Sequence, residues 1–355
     1  MTAFFNGDAV KIELNVAPEE KGIYYSIEDI MAGEQVGTQS TGDPSLQEAD
    51  SPGTQEICGS TDDRVRATDN AVGRVMPNGC TGWMVSNGAN LTAGHCQGVN
   101  QILEFNVPNS LNNGTPVNSL PQDQYPILNY TAFSNGGEGN DWAVFRTGPN
   151  ANGQFAIQQQ NNTFYRMSRD LNPAVVRETG YGIDGPSPLF GDGPRNADSQ
   201  TLQTHSGPFS SETVTSPSSA VIRYEIDDEN GNSGSPVIDT SNNIAIGIGT
   251  HAGCNSTGGS NAGTGFENDN LEAALRDFSG VGANVRHLDN GHVVSQVLQD
   301  GTVLRPFDTL AEAVNAVPAG GVVSIVTGTY DGSLTISKPM SLRAPVGTVK
   351  LTGGP

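Results

Sequence analysis

The clearest pattern in the chain is a series of short apolar runs broken by turn residues. Thr81-Gly82-Trp83-Met84-Val85 and Ala89-Asn90-Leu91-Thr92 flank Asn87-Gly88, which predicts a hairpin whose tight turn takes positive φ angles from those two residues. Pro236-Val237-Ile238-Asp239 and Ile244-Ala245-Ile246-Gly247-Ile248, joined through Ser241-Asn242-Asn243, predict a second hairpin. Strands this short with turns this regular indicate a β-barrel. Near the N-terminus, Ala9–Val16 alternates apolar and polar positions as a half-buried strand does, and Gly22–Ile27 is strand-like. Two strands are too few for a core of their own. Residues 32–56 are rich in Gly, Ser, Thr, Gln, Pro and acids and read as an exposed linker, so residues 1–57 are expected to be either a pro-segment or an N-terminal β extension packed on the barrel domain. Helical spacing occurs at 269–278, with Leu271, Ala274, Leu275 and Phe278 on one face and Asp269 or Asn270 as N-cap.

Composition narrows the function classes. The chain has 355 residues, room for two or three domains, and its 45 Gly and 21 Pro suit turn-rich β structure better than helix bundles. With 38 acidic against 17 basic residues the formal charge is −21, which repels the phosphate backbone and anionic lipid. Nucleic-acid and membrane-surface roles are therefore excluded. No run approaches the roughly 20 apolar residues needed to cross a bilayer, and the first residues lack the basic and apolar regions of a signal peptide.

Three segments carry the chemistry. Gly231-Asn232-Ser233-Gly234-Ser235-Pro236, Thr92-Ala93-Gly94-His95-Cys96 and Asp141-Trp142-Ala143-Val144 supply a hydroxyl, an imidazole and a carboxylate, each in a distinctive setting. A serine hydroxyl is a poor nucleophile at neutral pH. It needs an imidazole to take its proton and a carboxylate to fix the tautomer and steady the charged ring. The order His95, Asp141, Ser233, with separations of 46 and 92 residues, excludes the α/β-hydrolase and subtilisin orders.

On these motifs, residues 58–280 resemble the chymotrypsin-like serine proteases, and more closely the bacterial branch that includes the glutamyl endopeptidases. The resemblance implies an all-β fold of two six-stranded antiparallel barrels followed by a short C-terminal helix, with His95 and Asp141 from the first barrel and Ser233 from the second. It implies peptide-bond hydrolysis of protein or peptide substrates through an acyl-enzyme, with no cofactor. The N–H groups of Gly231 and Ser233 are then the oxyanion hole, a role the flanking Gly231 and Gly234 suit by permitting a tight backbone path. It also implies a disulfide from Cys80 to Cys96, leaving Cys58 and Cys254 for a second; both bonds would place the protein in an oxidising compartment, secreted or at the cell surface.

Other positions depart from the family. Asn232 stands where trypsin-like zymogens carry an Asp that captures a newly freed amino terminus, so that switch is not expected here. Gly249 stands where glutamyl endopeptidases carry the histidine that recognises an acidic side chain, so a glutamate preference does not carry over. The resemblance instead makes Thr250 a neighbour of Asp141, sets the backbone of His251 and Ala252 along an extended substrate, and puts Asp228, with Asp227 and Glu229 beside it, where a cationic side chain would be recognised. No metal centre is expected, since His251 and Cys254 lack the second pair a tetrahedral site needs. The acidic loops 184–198 and 227–230 are candidates for structural calcium, although neither follows the helix-flanked twelve-residue pattern. His205, His287 and His292 are expected at the surface.

Residues 281–300 read as a linker. Residues 301–355 resemble the start of a right-handed parallel β-helix, on the runs Pro306–Val314, Val322–Val326 and Gly328–Tyr330, with an amphipathic helix capping the first coil and successive strands at 334–336, 340–343 and 349–351. A solenoid needs about three repeats to bury a continuous core, and this one stops after one or two, as a piece of a longer protein would. The rival to a peptidase is a surface-associated binding protein in which the protease scaffold presents the β-helix to polysaccharide or cells. For a peptidase, His95 must start the cycle neutral, so the rate should fall through an acid limb near ~pH 6–7, the range of an ordinary imidazole. A rate profile flat down to about pH 4 would contradict this assignment.

Overall fold

The computed structural model describes residues 57–134, 137–185, 194–278, 282–293 and 295–353. The strand-like runs and linker expected within 1–56 lie outside these residues. Two antiparallel barrels make up most of the described chain. In the first, Val72–Met76 pairs with Cys80–Met84, and the ring continues through Asn90–Thr92, Asp141–Thr147, Gln124–Ser134 and Ile102–Glu104 back to Val72–Met76. In the second, Val175–Gly180 pairs with Gln203–Ser216, and the ring closes through Ser219–Tyr224, Asn261–Gly265, Ile244–His251 and Pro236–Asp239. Closure leaves neither barrel with a free ladder edge.

One apolar core runs between the barrels. Trp83, Leu91, Trp142 and Val144 from the first meet Ile238, Ala245, Ile248 and Phe266 from the second, all nearly inaccessible to solvent. The predicted hairpin turns are present, with one difference. Gly88 alone adopts the left-handed conformation in the first turn, at φ 82°. The side chain of Asn87 accepts the Ala89 N–H at 3.0 Å and donates to the Leu275 carbonyl at 3.0 Å, so this turn is tied to the C-terminal helix. In the second turn Asn243 takes φ 60°, and the Asp239 carboxylate accepts from Ser241 and Asn242.

The helix spans Asp269–Asp277 and buries Leu271, Ala274 and Leu275, as its spacing predicts. Its N-cap is Asn268, one residue ahead of the expected Asp269 or Asn270. Asn268 is fully buried. Its carbonyl oxygen accepts from the N–H groups of Asn270 and Leu271, while its amide donates to the Gly139 and Ser218 carbonyls. A residue with both an acceptor and a donor at this spot can cap the helix and tie both barrels at once, which an Asp in the first turn could not.

Residues 285–353 add parallel strands. Val285–Leu288, which lies in the stretch read as a linker, pairs with Val322–Ile325, which in turn pairs with Ser341–Arg343; Gly328–Asp331 pairs with Val349–Thr352. The expected helix forms at Leu310–Ala316, capped by the Thr309 hydroxyl. No strand forms at 334–336. The backbone bends there, with the Leu334 N–H turned back to the Gly332 carbonyl at 2.8 Å and Ile336 left exposed. This part is fastened to the second barrel. Arg305 makes a forked pair with Asp170, and Arg166 does the same with Asp289. Val303 and Leu304 enter the inter-barrel core. His287, expected at the surface, is buried in the parallel sheet, and burial pushes its imidazole down to about 4. His205 and His292 are only part exposed, and His292 Nε2 lies 2.7 Å from the Met167 carbonyl oxygen.

Replacing Asn268 by Ala removes the helix cap and the two amide donations to the Gly139 and Ser218 carbonyls. The expected cost is ~2–4 kcal/mol of stability, read as a lower denaturation midpoint in urea. A change below about 0.5 kcal/mol would contradict the bridging role.

Candidate active site

His95 sits in a single 3-10 turn, Gly94–Cys96, directly after the strand Asn90–Thr92. Asp141 opens the neighbouring strand of the same barrel, so the ladder that pairs Thr92 with Ala143 carries both residues to one end. His95 Nδ1 lies 2.5 Å from Asp141 Oδ2, and the His95 N–H donates to Asp141 Oδ1 at 2.9 Å. The carboxylate is almost completely buried while the imidazole is about a quarter exposed. Gly94 permits this approach, because a Cβ there would fall 2.2 Å from the Phe133 carbonyl oxygen and 2.8 Å from Asp141 Oδ1. Burial by itself would raise the Asp141 pKa, but the ring and backbone hydrogen bonds from His95 outweigh it and hold the carboxyl below its usual value. Held this way, the ring carries its proton on Nδ1 and presents Nε2 as the atom able to accept another. Thr264, on the second barrel, binds the Asp141 backbone twice, accepting from its N–H at 3.1 Å and donating to its carbonyl at 2.9 Å.

The Ser233 loop is brought against the same end of the first barrel. The Thr81 N–H donates to the Ser233 carbonyl at 2.9 Å and the Thr81 hydroxyl to the Gly231 carbonyl at 2.9 Å. Trp83 Nε1 donates to the Gly234 carbonyl at 3.0 Å. The Cys96 sulfur, one residue past His95, is 3.6 Å from the Ser233 carbonyl oxygen. Gly231 and Gly234 take φ 103° and 93°. At Gly234 the lack of a side chain is obligatory, since a Cβ would lie 2.2 Å from the Thr81 carbonyl oxygen, 2.3 Å from Thr92 Oγ1 and 2.9 Å from the Ala93 nitrogen. Both disulfides are formed, Cys80–Cys96 beside His95 and Cys58–Cys254 between the N-terminal arm and the cleft wall.

Thr250 places its hydroxyl 2.8 Å from His251 Nδ1 and donates to the Ala262 carbonyl at 3.4 Å. The Thr250 bulge interrupts the pairing of this strand with Asn261–Gly265, just ahead of Ala252. Of the three adjacent acids, Asp227 is occupied structurally. Its carboxylate accepts from the Cys58 N–H at 2.8 Å and the Asp63 N–H at 2.6 Å. Asp228 is buried and its Oδ1 accepts the Glu229 N–H at 2.8 Å. Burial, against the pull of Arg64 and with the push of Asp228, raises Glu229 to about 8. Among the described residues the one grouping of potential metal ligands is Cys80, His95 and Cys96, and its two cysteines are joined to each other. No helix among the described residues is long and apolar enough to cross a membrane.

Residues 57–268 match the Trypsin family model. The chain belongs to the trypsin family and is a serine endopeptidase, acting on proteins or peptides; trypsin-like proteases generally need no cofactor. No curated protein matches it. Similar solved structures include a thermostable serine protease, AL20, from an extremophilic microorganism (14% identity, TM-score 0.42, covering 57% of this chain and 97% of that one). A Glu endopeptidase in complex with MPD is 20% identical, with TM-score 0.39 and coverage of 59% and 93%. The protease Anisep from Arthrobacter nicotinovorans is 17% identical, with TM-score 0.43 and coverage of 57% and 93%.

Sequence motifs do not reveal Thr81 or Thr264, which hold the signature segments in place. The depressed Asp141 carboxyl contributes stability that is complete above the unfolded value of about 3.9 and disappears as pH falls through its lower folded value. Asp141→Asn should therefore flatten the loss of stability below about pH 4 relative to the parent, measured as thermal midpoints from pH 5 to 2. Parallel curves for the two proteins would count against the carboxylate being ionised.

Proposed function

We propose that the chain is a secreted endopeptidase that works through an acyl-enzyme on Ser233. Ser233 Oγ attacks the scissile carbonyl, His95 accepts the serine proton and then gives it to the leaving amine, and a water molecule repeats the sequence to free the acid. Asp141 fixes the imidazole and offsets its charge. The N–H groups of Gly231 and Ser233 stabilise the oxyanion. The observation that carries this reading is the double attachment of His95, ring and backbone, to one buried carboxylate, on the barrel end against which the Ser233 loop is bolted.

Asp228 contributes to side-chain recognition, Thr250 stands near Asp141, and the backbone of His251 and Ala252 pairs with an extended substrate. Two formed disulfides support an extracellular location. Asn232 has no carboxylate with which to pair a new amino terminus, so the chain acts without that maturation switch. Residues 58–280 form the protease domain, and a parallel β-helix starts beyond it, its first strand at 285–288 lying within the stretch read from sequence as a linker. The parallel ladders at 285–288, 322–325 and 341–343 support that last assignment.

A fluorophosphonate probe should label the full chain, and Ser233→Ala should abolish labelling and reduce cleavage of unfolded protein by roughly 10⁴-fold or more. Labelling that survives the substitution would overturn the nucleophile assignment. Labelling without digestion of unfolded protein would make the enzyme an esterase, and no labelling would favour a binding protein built on the protease scaffold.

A further inference from the structure

The ladder between Ile244–His251 and Asn261–Gly265 is regular except at one place. Ile248 pairs with Thr264 and Gly249 with Gly263, but the partner of Ala262 is His251, so Thr250 is an extra residue in its strand. Such a bulge brings successive side chains toward one face, where a regular strand would send them to opposite faces. The Thr250 hydroxyl and His251 Nδ1 therefore meet, 2.8 Å apart. This face is turned to the first barrel. Ala262 and Thr264, two residues apart, share it, and Thr264 grips the Asp141 backbone at both its N–H and its carbonyl. Opposite Ala262, the half-buried His251 is thus carried to the seam that holds Asp141 and His95.

The seam then contains two imidazoles and one carboxylate. Both Asp141 oxygens are engaged by His95. Burial pushes that carboxyl up, and the hydrogen bonds and charge of His95, joined by the charge of His251, hold it below its usual value. The other elements packed on this strand bring no further charge to the seam. Asn261–Gly265 has no ionisable residue, and the neighbour of His251 on its own strand is the Thr250 hydroxyl. Behind the strand, inside the second barrel, a Cβ on Gly249 would fall 2.2 Å from Glu178 Oε1 and 2.9 Å from the Tyr224 hydroxyl. Neither carboxyl oxygen of Glu178 meets a donor in hydrogen-bonding geometry. Burial, and then the charge of Asp228, push this acid well above the usual carboxylate range against the pull of Tyr224 and Arg64. It keeps its proton in the acid range where imidazoles titrate.

We propose that His251 is a positioning residue for the triad reaction, a second imidazole whose charge opposes protonation of His95 and so keeps the catalytic base available in more acid solution. The proposal rests on the peptidase reading of Ser233, His95 and Asp141 and deepens it. A proton on His251 places positive charge beside the ionised Asp141 and makes a second positive charge on the His95 ring less favourable. The two rings titrate as a pair, losing their protons in two steps that belong to both. Neutral His95 therefore persists to a lower pH than it would without its neighbour. The same charge opposes the imidazolium that forms when Ser233 attacks, so each competent molecule works more slowly once His251 is charged.

The test uses the full chain and two variants. His251→Asn keeps a polar atom near the place of Nδ1 for the Thr250 hydroxyl but carries no charge, and His251→Lys is charged throughout. The acid limb of kcat/KM should spread over two ionisations in the parent. In His251→Asn it should narrow to one, with its midpoint ~0.5 pH unit or more higher, and in His251→Lys to one that lies below that of His251→Asn. The His95 Nδ1–H proton, followed by NMR over the same range, should move in two steps in the parent and in one in His251→Asn, a reading that needs no turnover. A parent limb that follows a single ionisation, or a His251→Asn limb that coincides with the parent's, overturns the proposal. Should the variants not fold, the NMR titration of the parent still decides, since a single His95 step overturns the proposal there too. A parent that fails to react with fluorophosphonate overturns the Ser233 reading itself; one that reacts and titrates in a single step overturns only this inference.

Discussion

Thr81 is where the two barrels are fastened to each other. Its N–H holds the Ser233 carbonyl, its hydroxyl donates to the Gly231 carbonyl and accepts the Tyr181 N–H, and its own carbonyl accepts from Thr92 Oγ1. Every polar atom of one fully buried residue is thereby committed, and three of the four bonds reach the second barrel. Loss of any of them would leave a buried donor or acceptor unpaired, which costs more than the bond itself contributes. The spacing of the His95 turn and the Ser233 loop is thus set by a residue that is not itself a catalytic candidate and that reaches Ser233 through its backbone carbonyl.

The charge distribution around that joint follows a similar logic. A chain this acidic has few cations to distribute, and one of them is spent on a buried acid. Arg74 and Glu104 form a fully buried pair inside the first barrel, with the remaining Arg74 donors on the Gln200 and Val117 carbonyls and the remaining Glu104 oxygen on Ser119. Engaging all three Arg74 nitrogens and both Glu104 oxygens in this way is what makes a buried ion pair tolerable. Asp227 is satisfied without any cation in hydrogen-bonding contact, by two N–H groups of the arm at 58–63, and that arm is also held by the Cys58–Cys254 disulfide. The wall of the cleft is therefore built partly from residues distant in sequence, and Glu178 stands out because its neighbours leave it incomplete.

Much of the architecture was legible in the residues. Alternating short runs and turn glycines announced the barrel hairpins, the order of three motifs announced the site, and the helix at 269–277 announced itself by spacing. Local chemistry was legible because it depends on neighbours along the chain: a glycine that must turn, a cap, an apolar face. The errors fell where a distant partner decides. Asn268 caps the helix because its amide also reaches Gly139 and Ser218; His287 is buried because parallel strands close over it; residues 334–336 bend because no partner strand runs beside them.

By itself the sequence determined the family and the identity of the three side chains, since these are carried in contiguous motifs. Only the tertiary structure decided which acids near Ser233 are spent on backbone donors and which still lack a partner. Asp227 and Glu178 are both acidic residues in strand-and-turn settings, indistinguishable by type or spacing. What separates them is a pair of N–H groups delivered from about 165 residues away to one, and a gap left by Gly249 beside the other. Desolvation and hydrogen bonding act through space, so the state of a carboxyl is fixed by the groups that folding gathers around it.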